Sequence, residues 1–143
     1  LEHSDWWFAS LHERLLAQGE KVNAEKVRAA SLDHLDTMLD YHEGLARKLF
    51  GRDIAHVFLM HANTLNSHIL PEMLDRFRKR GYSFVPLAKA LEDPAYRTAD
   101  SYFGEQGLVW QHRWAITLGH KTGAQDEPDP AQWLQDLNQA TPR

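Results

Sequence analysis

The segment 54–60 is the feature that most constrains the fold of this chain. It reads IAHVFLM, almost entirely apolar with the β-branched residues Ile54 and Val57, and polar sequence flanks it on both sides. A short, continuous apolar segment of this kind is typical of a strand covered on both faces, as in a parallel sheet. The sequence therefore predicts a buried strand at residues 54–60.

Helical periodicity dominates most of the remaining chain. Apolar residues recur at helical spacing in residues 5–18, in the stretch that follows the polar break 19–21 and runs as far as Gly51, and in residues 67–80. Ser4 or Asp5 is predicted as the N-cap of the first helix and Ser67 as that of the third. Tyr82-Ser83-Phe84-Val85 then predicts a second strand, which Pro86 ends. Strand, helix and strand in this order form one βαβ unit with parallel strands. The predicted fold class is α/β and rich in helix.

The predicted sheet is too small to stand alone. An open parallel sheet normally needs several βαβ units, and only two strands are predicted. The first residue is Leu1 and not Met, so we expect the chain to lack an N-terminal part of the same domain. Residues 1–119 are predicted to belong to that domain, with short helices at 87–91 and 109–118. Residues 120–143 are predicted to form a linker and a short C-terminal helix.

Composition excludes some functions and leaves others open. The 16 basic and 20 acidic residues give a formal charge of −4, whereas nucleic-acid binding normally needs a basic surface. Cysteine is absent, so neither disulfides nor thiolate metal sites can form, and this leaves the compartment open. No apolar segment approaches the roughly 20 residues of a membrane-spanning helix. We expect neither a nucleic-acid partner nor a membrane span.

His61 is the strongest candidate for a chemical role. It follows the predicted strand at its carboxyl end, where α/β folds build their sites. A structural role, in which His61 only caps the strand by hydrogen bonding to a loop, is about as well supported by position alone. The nine histidines lack the one-turn spacing of helical metal motifs, so no metal ligand is assigned. Trp110, Arg113 and Trp114 share a helical face that could stack on a sugar, although aromatic residues at this spacing more often form a core.

Several of these elements together resemble a known enzyme family. The series consists of Glu2-x-x-Asp5-Trp6, Phe50-Gly51-Arg52, Val57-Phe58-Leu59-Met60-His61-Ala62-Asn63, and Gly81-Tyr82-x-Phe84-Val85-x-Leu87-x-x-Ala90-Leu91-x-Asp93-Pro94-x-Tyr96. It resembles the C-terminal part of polysaccharide deacetylases, the NodB-homology enzymes of carbohydrate esterase family 4. The resemblance extends over most of residues 2–114 and does not include residues after Gly119.

The resemblance implies a fold, a reaction and roles for particular residues. The fold would be the C-terminal portion of a distorted (β/α) barrel with at least two parallel strands. The reaction would be metal-dependent hydrolysis of N- or O-acetyl groups on a polysaccharide or amino sugar, with zinc the usual metal. His61 would be the general acid that protonates the departing amine, and Glu2 its carboxylate partner. Leu59 and Trp6 would contact the substrate.

The same resemblance implies that half of the catalytic machinery is missing. The family's Asp-Asp element and its His-x-x-x-His metal pair have no counterpart in this sequence, so the metal ligands are expected to lie outside this chain. We therefore expect a deacetylase-type hydrolase of carbon–nitrogen bonds that is inactive as an isolated fragment, with a periplasmic or extracellular location favoured. The alternative is a non-catalytic α/β interaction module that keeps the framework for packing.

Overall fold

The computed structural model describes residues 1–142 of the chain, and its regular elements are helices. The α-helices are α1 (Asp5–Ala17), α2 (Lys21–Phe50), α3 (Thr64–Lys79), α4 (Leu87–Ala90), α5 (Trp110–Thr117) and α6 (Gln132–Ala140). Two 3₁₀ turns occupy Pro94–Arg97 and Ala124–Asp126. None of the helices within residues 1–142 combines the length and the apolarity that crossing a membrane requires.

The predicted α/β fold is wrong for the part of the chain that the structure describes. Residues 1–142 contain no β-strand, so neither a (β/α) barrel nor a pair of parallel strands is present. Both predicted strands, 54–60 and 82–85, lie in irregular segments between helices. The apolar patterns correctly indicated that these two segments are not helical. They could not indicate whether another strand would pair with either segment.

Side chains take the place of a neighbouring strand along residues 55–57. The Asp93 carboxylate accepts a hydrogen bond from the Ala55 amide at 3.0 Å. The Tyr96 hydroxyl donates to the Ala55 carbonyl at 2.9 Å and accepts from the Val57 amide at 3.1 Å. Leu1 adds two bonds, from its amino group to the Val57 carbonyl and from the Leu59 amide to its own carbonyl. Because backbone polar groups need such partners when they leave water, the segment is held without a sheet.

The chain divides into two compact units. The first contains Leu1 and residues 38–59 and 84–128, and the second contains residues 2–37, 60–83 and 129–142, so that the division falls within α2. In the first unit, buried Trp114 of α5 packs with Ala46, Ile54 and Ala95. The Tyr96 ring meets the Trp114 indole edge-on, with ring centroids 5.2 Å apart. The same tyrosine that binds segment 55–57 therefore also anchors this core.

The second unit is built on the packing of α1 against α3. The buried residues of α1 follow the spacing of one helical face, as the sequence predicted, and those of α3 do the same. They include Phe8, Leu11 and Leu15 on α1 and Ile69 and Met73 on α3. The α1–α3 contact positions the N-termini of these two helices.

The C-terminal helix α6 also belongs to the second unit, and it is fixed to α1. Leu134 is buried. The Arg14 guanidinium donates to the Thr141 carbonyl at 2.8 Å and to the side-chain oxygen of Asn138. One side chain of α1 thus bonds to the last turn of α6 and to the residue that follows it.

Candidate functional site

His61 lies in the second unit, in the short connection that leads into α3. Its side chain is 52% exposed and lines an open groove of about 560 Å³ together with Met60, Asn63, Ser67 and Leu70. Segment 60–63 has no regular secondary structure, so the residues around His61 must fix its position. The structure shows which residues those are.

Asp5 is the carboxylate that holds His61. Its side chain is 1% exposed, and its two oxygens accept from the His61 ring at Nδ1, at 2.9 Å, and from the His61 backbone amide, at 2.8 Å. Because the carboxylate can only accept, Nδ1 carries the proton. In the neutral ring, Nε2 is then the nitrogen without a proton. Asp5 therefore fixes both the backbone and the tautomer of His61.

Two asparagines complete the surroundings of the Asp5 carboxylate. The Asn66 amide donates to Asp5 and also to the His61 carbonyl, at 2.8 Å. Asn63 donates more weakly to Asp5, at 3.4 Å, and its side-chain oxygen caps α3 by accepting from the Asn66 backbone amide at 2.8 Å. The first turn of α3 therefore supplies donors to a carboxylate that lies in the first turn of α1, where the helix dipole also favours a negative charge.

The predicted helix starts need correction at the same place. Helix α3 begins at Thr64 with Asn63 as its cap, four residues before the position implied by a Ser67 cap. Ser4 does precede α1, but its side chain makes no capping hydrogen bond and its backbone is left-handed, with φ of 55°. Asp5 is the first residue of α1, and its carboxylate binds His61 instead of the helix end.

The paired charges shift both pKa values in the directions that suit a proton donor. The hydrogen bond to Asp5, followed by the Asp5 charge, raises the pKa of His61 above its ordinary value. Burial raises the pKa of Asp5, but hydrogen bonds from His61 and Asn66 outweigh it and bring that pKa below its usual range. Asp5 is therefore ionised at neutral pH, and His61 holds a proton to a higher pH than a free imidazole does.

The other residues predicted for the site are Glu2, Trp6 and Leu59, and none of them provides the hydrogen bond that holds the His61 ring. Glu2 makes the smallest contribution to the raised pKa of His61, through its charge, whereas Asp5 provides the hydrogen bond that was assigned to Glu2. Trp6 is 57% exposed and lines a different groove of the second unit. Leu59 is also 57% exposed, but it belongs to the first unit.

No metal site accompanies His61 in the described structure. Within residues 1–142, no group of three or more histidine, aspartate or glutamate side chains is arranged to hold a metal ion. His34 and His42 both lie on α2, eight residues apart, and so lack the one-turn spacing of a helical metal pair. His42 is buried and binds the Gln111 side chain at 2.5 Å. The described residues thus do not fit the divalent metal that the family resemblance implies.

The tryptophans of α5 have different environments. Trp114 is 1% exposed and belongs to the core of the first unit, whereas Trp110 is 53% exposed. The Arg113 guanidinium lies over the Trp110 ring, 5.0 Å from its centroid. Trp114 is therefore a core residue, and a neighbouring cation already covers part of Trp110.

Sequence reasoning missed the roles of Asp5, Asn63 and Asn66. Asp5 was named as a possible helix cap and as part of the Glu2-x-x-Asp5-Trp6 element, Asn63 as the end of the element that contains His61, and Asn66 was given no role. A usable signal was present, because Asn is among the residues that most often cap the start of a helix. Reading Asn63 as the cap places Asn66 in the first turn of α3, close to His61.

Comparisons with known proteins do not identify the chain: no family model, no curated protein and no solved structure matches it.

Proposed function

We propose that this chain supplies the general acid of a hydrolase that removes acetyl groups from a polysaccharide or amino sugar. The observation that carries the proposal is the pairing of a buried carboxylate with a half-exposed imidazole, Asp5 with His61. Such a pair presents one ring nitrogen to a ligand while the other is held by a fixed charge. The resemblance in sequence specifies the reaction.

In the proposed step, His61 in its protonated form donates the proton on Nε2 to the nitrogen of the departing amine. Cleavage of the carbon–nitrogen bond then releases a neutral amine, and His61 becomes neutral with the proton on Nδ1 retained by Asp5. An amine is a poor leaving group without this proton, and general acids of this kind typically contribute about 10²- to 10⁴-fold to a rate. The raised pKa of His61 keeps more of the acid form available at neutral pH.

The proposal assigns this chain the proton donor only. Activation of water by a divalent metal would need ligands outside residues 1–142, since the described residues provide no such group. We therefore assign no role in nucleophile activation to any residue of this chain. Acetate release is proposed for the full-length protein that contains this sequence.

The test compares two histidine substitutions in the full-length protein. With an acetylated sugar oligomer as substrate, His61→Ala should lower the rate of acetate release by about 10²- to 10⁴-fold and leave bound metal unchanged. His68→Ala is the matched control, because His68 is an exposed histidine of the same unit, on α3, and it should retain full activity. An active His61→Ala protein, or equal losses in the two variants, would refute the proposal.

A non-catalytic interaction module is the second candidate, and exposed apolar side chains in the first unit favour it. Phe103 is 95% exposed, and several apolar residues around α4 are exposed by about half, namely Phe84, Val85, Leu87 and Leu91. Exposed apolar clusters often mark protein interaction sites. Full activity in His61→Ala, together with loss of a protein partner on substitution of Leu87 by Ser, would favour this candidate.

A further inference from the structure

A second groove in the same unit has the chemistry of a sugar-binding site, and it has no role in the proton transfer proposed for His61. The groove has a volume of about 310 Å³ and lies between the start of α1 and the C-terminal helix α6. We call it the α6 groove. Its walls are formed by Ser4, Trp6 and Trp7 on one side and by Asp129, Pro130, Gln135, Asn138 and Gln139 on the other. Its volume is at the lower end of the range for ligand pockets, about 300–1,000 Å³.

Aromatic surface forms part of the groove. Trp6, in the first turn of α1, is 57% exposed. Trp7 beside it is partly buried, and its ring meets the Phe8 ring edge-on at 5.1 Å. The flat face of an indole attracts the axial C–H bonds of a pyranose ring, so exposed tryptophan next to polar groups suits a sugar.

The polar groups of the groove offer both donors and acceptors. The Gln135 amide donates to the Pro130 carbonyl at 2.7 Å, and its side-chain oxygen can act as an acceptor. The Asn138 side-chain oxygen accepts from Arg14, which leaves its amino group as a donor. Since each sugar hydroxyl both donates and accepts, a mixed set of amide groups matches it better than a cluster of one charge does.

Ser4 lines the α6 groove with a left-handed backbone conformation. It is the only residue other than glycine with a positive φ within the described residues 1–142. A left-handed backbone is costly for serine, and the side chain does not repay that cost by capping α1. Ser4 thus lines the groove while its side chain does not cap the helix, in a turn that leads directly into Asp5.

The wall contributed by α6 is held in place before any ligand arrives. Arg14 bonds to Asn138 and to the Thr141 carbonyl, and Leu134 is buried beneath the helix. Asp129 is the one ionisable residue among those that line the groove. Its negative charge disfavours an anionic ligand. Because the wall is already formed, little conformational entropy is lost when a ligand binds.

We propose that the α6 groove binds a neutral sugar ring, such as one residue of an N-acetylated hexosamine polymer. The choice of an acetylated sugar rests on the proposed function, whereas the groove itself requires only a neutral, hydroxylated ring. The proposal assigns sugar binding in part to residues 129–139. For this region the sequence predicted only a linker and a short helix. His61 is not among the residues that line the α6 groove, so sugar binding there is proposed to be independent of His61.

The test is a titration of the chain with the tetramer of N-acetylglucosamine, followed by NMR of the tryptophan indole N–H groups. Saturable shifts of the Trp6 and Trp7 signals are expected, and Trp6→Ala should weaken binding by about tenfold. Gln139→Ala tests the polar wall without disturbing the core, because Gln139 is exposed, and it should also weaken binding. Trp110→Ala is the matched control, an exposed tryptophan of the first unit, and should leave binding unchanged.

Three outcomes would overturn the inference: no saturable shift, shifts of Trp110 instead of Trp6 and Trp7, or binding of the deacetylated glucosamine tetramer alone. The last would identify a cation site at Asp129. His61→Ala should bind the tetramer as well as the unsubstituted chain does. Binding without His61-dependent acetate release refutes the proposed function alone, whereas release that persists without tetramer binding to the α6 groove refutes this inference alone.

Discussion

Replacement of Asp5 tests how strongly the buried carboxylate holds the segment around His61. In Asp5→Ala, the His61 backbone amide and the Asn66 side-chain amide lose their shared acceptor. Asp5 is almost fully buried, so the acceptor that it provides is shielded from water in the native structure. A buried donor left without a partner costs about 1–3 kcal/mol, and two such donors give about 2–6 kcal/mol of lost stability.

Asp5→Asn should be much milder, because the asparagine oxygen can still accept from the His61 backbone amide. Its amino group would face the His61 ring, which can respond by moving its proton to Nε2 and accepting at Nδ1. The expected loss is therefore about 1–2 kcal/mol, the difference between a charge-assisted and a neutral set of hydrogen bonds. Urea denaturation followed by circular dichroism measures both variants. Equal losses in Asp5→Ala and Asp5→Asn, or none in either, would refute this account of the carboxylate.

Three further predictions concern the rest of the chain. Burial lowers the pKa of His3 to about 4, so the unfolded state binds the proton more readily. The free energy of unfolding should fall as pH drops from about 6.5 to 4, by at most about 1.4 kcal/mol per pH unit for this group. His3→Gln should flatten the pH dependence, and an unchanged slope contradicts the assignment. Trp114→Ala should cost about 3–5 kcal/mol, whereas the exposed Trp110→Ala should cost no more than about 1 kcal/mol; equal melting temperatures would contradict the burial of Trp114. The chain itself with added zinc or cobalt should release no acetate from an acetylated sugar, and turnover above the metal-only background would show that its residues do form a metal site.

The helices could be predicted from the sequence because their signals are local. The apolar spacing of α1 and the charges and Gly81 that follow α3 each depend on neighbouring residues only. Gly81 has φ of +86°, the left-handed conformation in which glycine commonly ends a helix. Both α1 and the end of α3 therefore lie close to the positions that the sequence predicted.

The strands could not be predicted because a strand depends on a partner. Residues 54–60 have the composition of a buried strand, yet their backbone binds Asp93 and Tyr96, about 40 residues further along the chain. No local pattern distinguishes side-chain partners of this kind from another strand. The prediction of a βαβ unit failed for that reason.

The candidate site was predicted in part. His61 was singled out from its position after an apolar segment, and the structure places it half-exposed in a groove. Its partner was assigned to Glu2 through the family resemblance, but the packing of α1 against α3 gives the contact to Asp5. Which of two nearby carboxylates meets a histidine depends on this packing, and a single sequence does not encode it locally.

Direct titration of His61 by NMR tests the central claim that Asp5 holds this imidazole as a proton donor. The hydrogen bond and charge of Asp5 should place the pKa of His61 above the ordinary value of about 6.5, with Nδ1 protonated in the neutral form. In Asp5→Asn, the pKa should fall and the neutral tautomer should change to Nε2–H. A pKa at or below 6.5 in the unsubstituted chain, or a titration that Asp5→Asn leaves unchanged, would contradict the account.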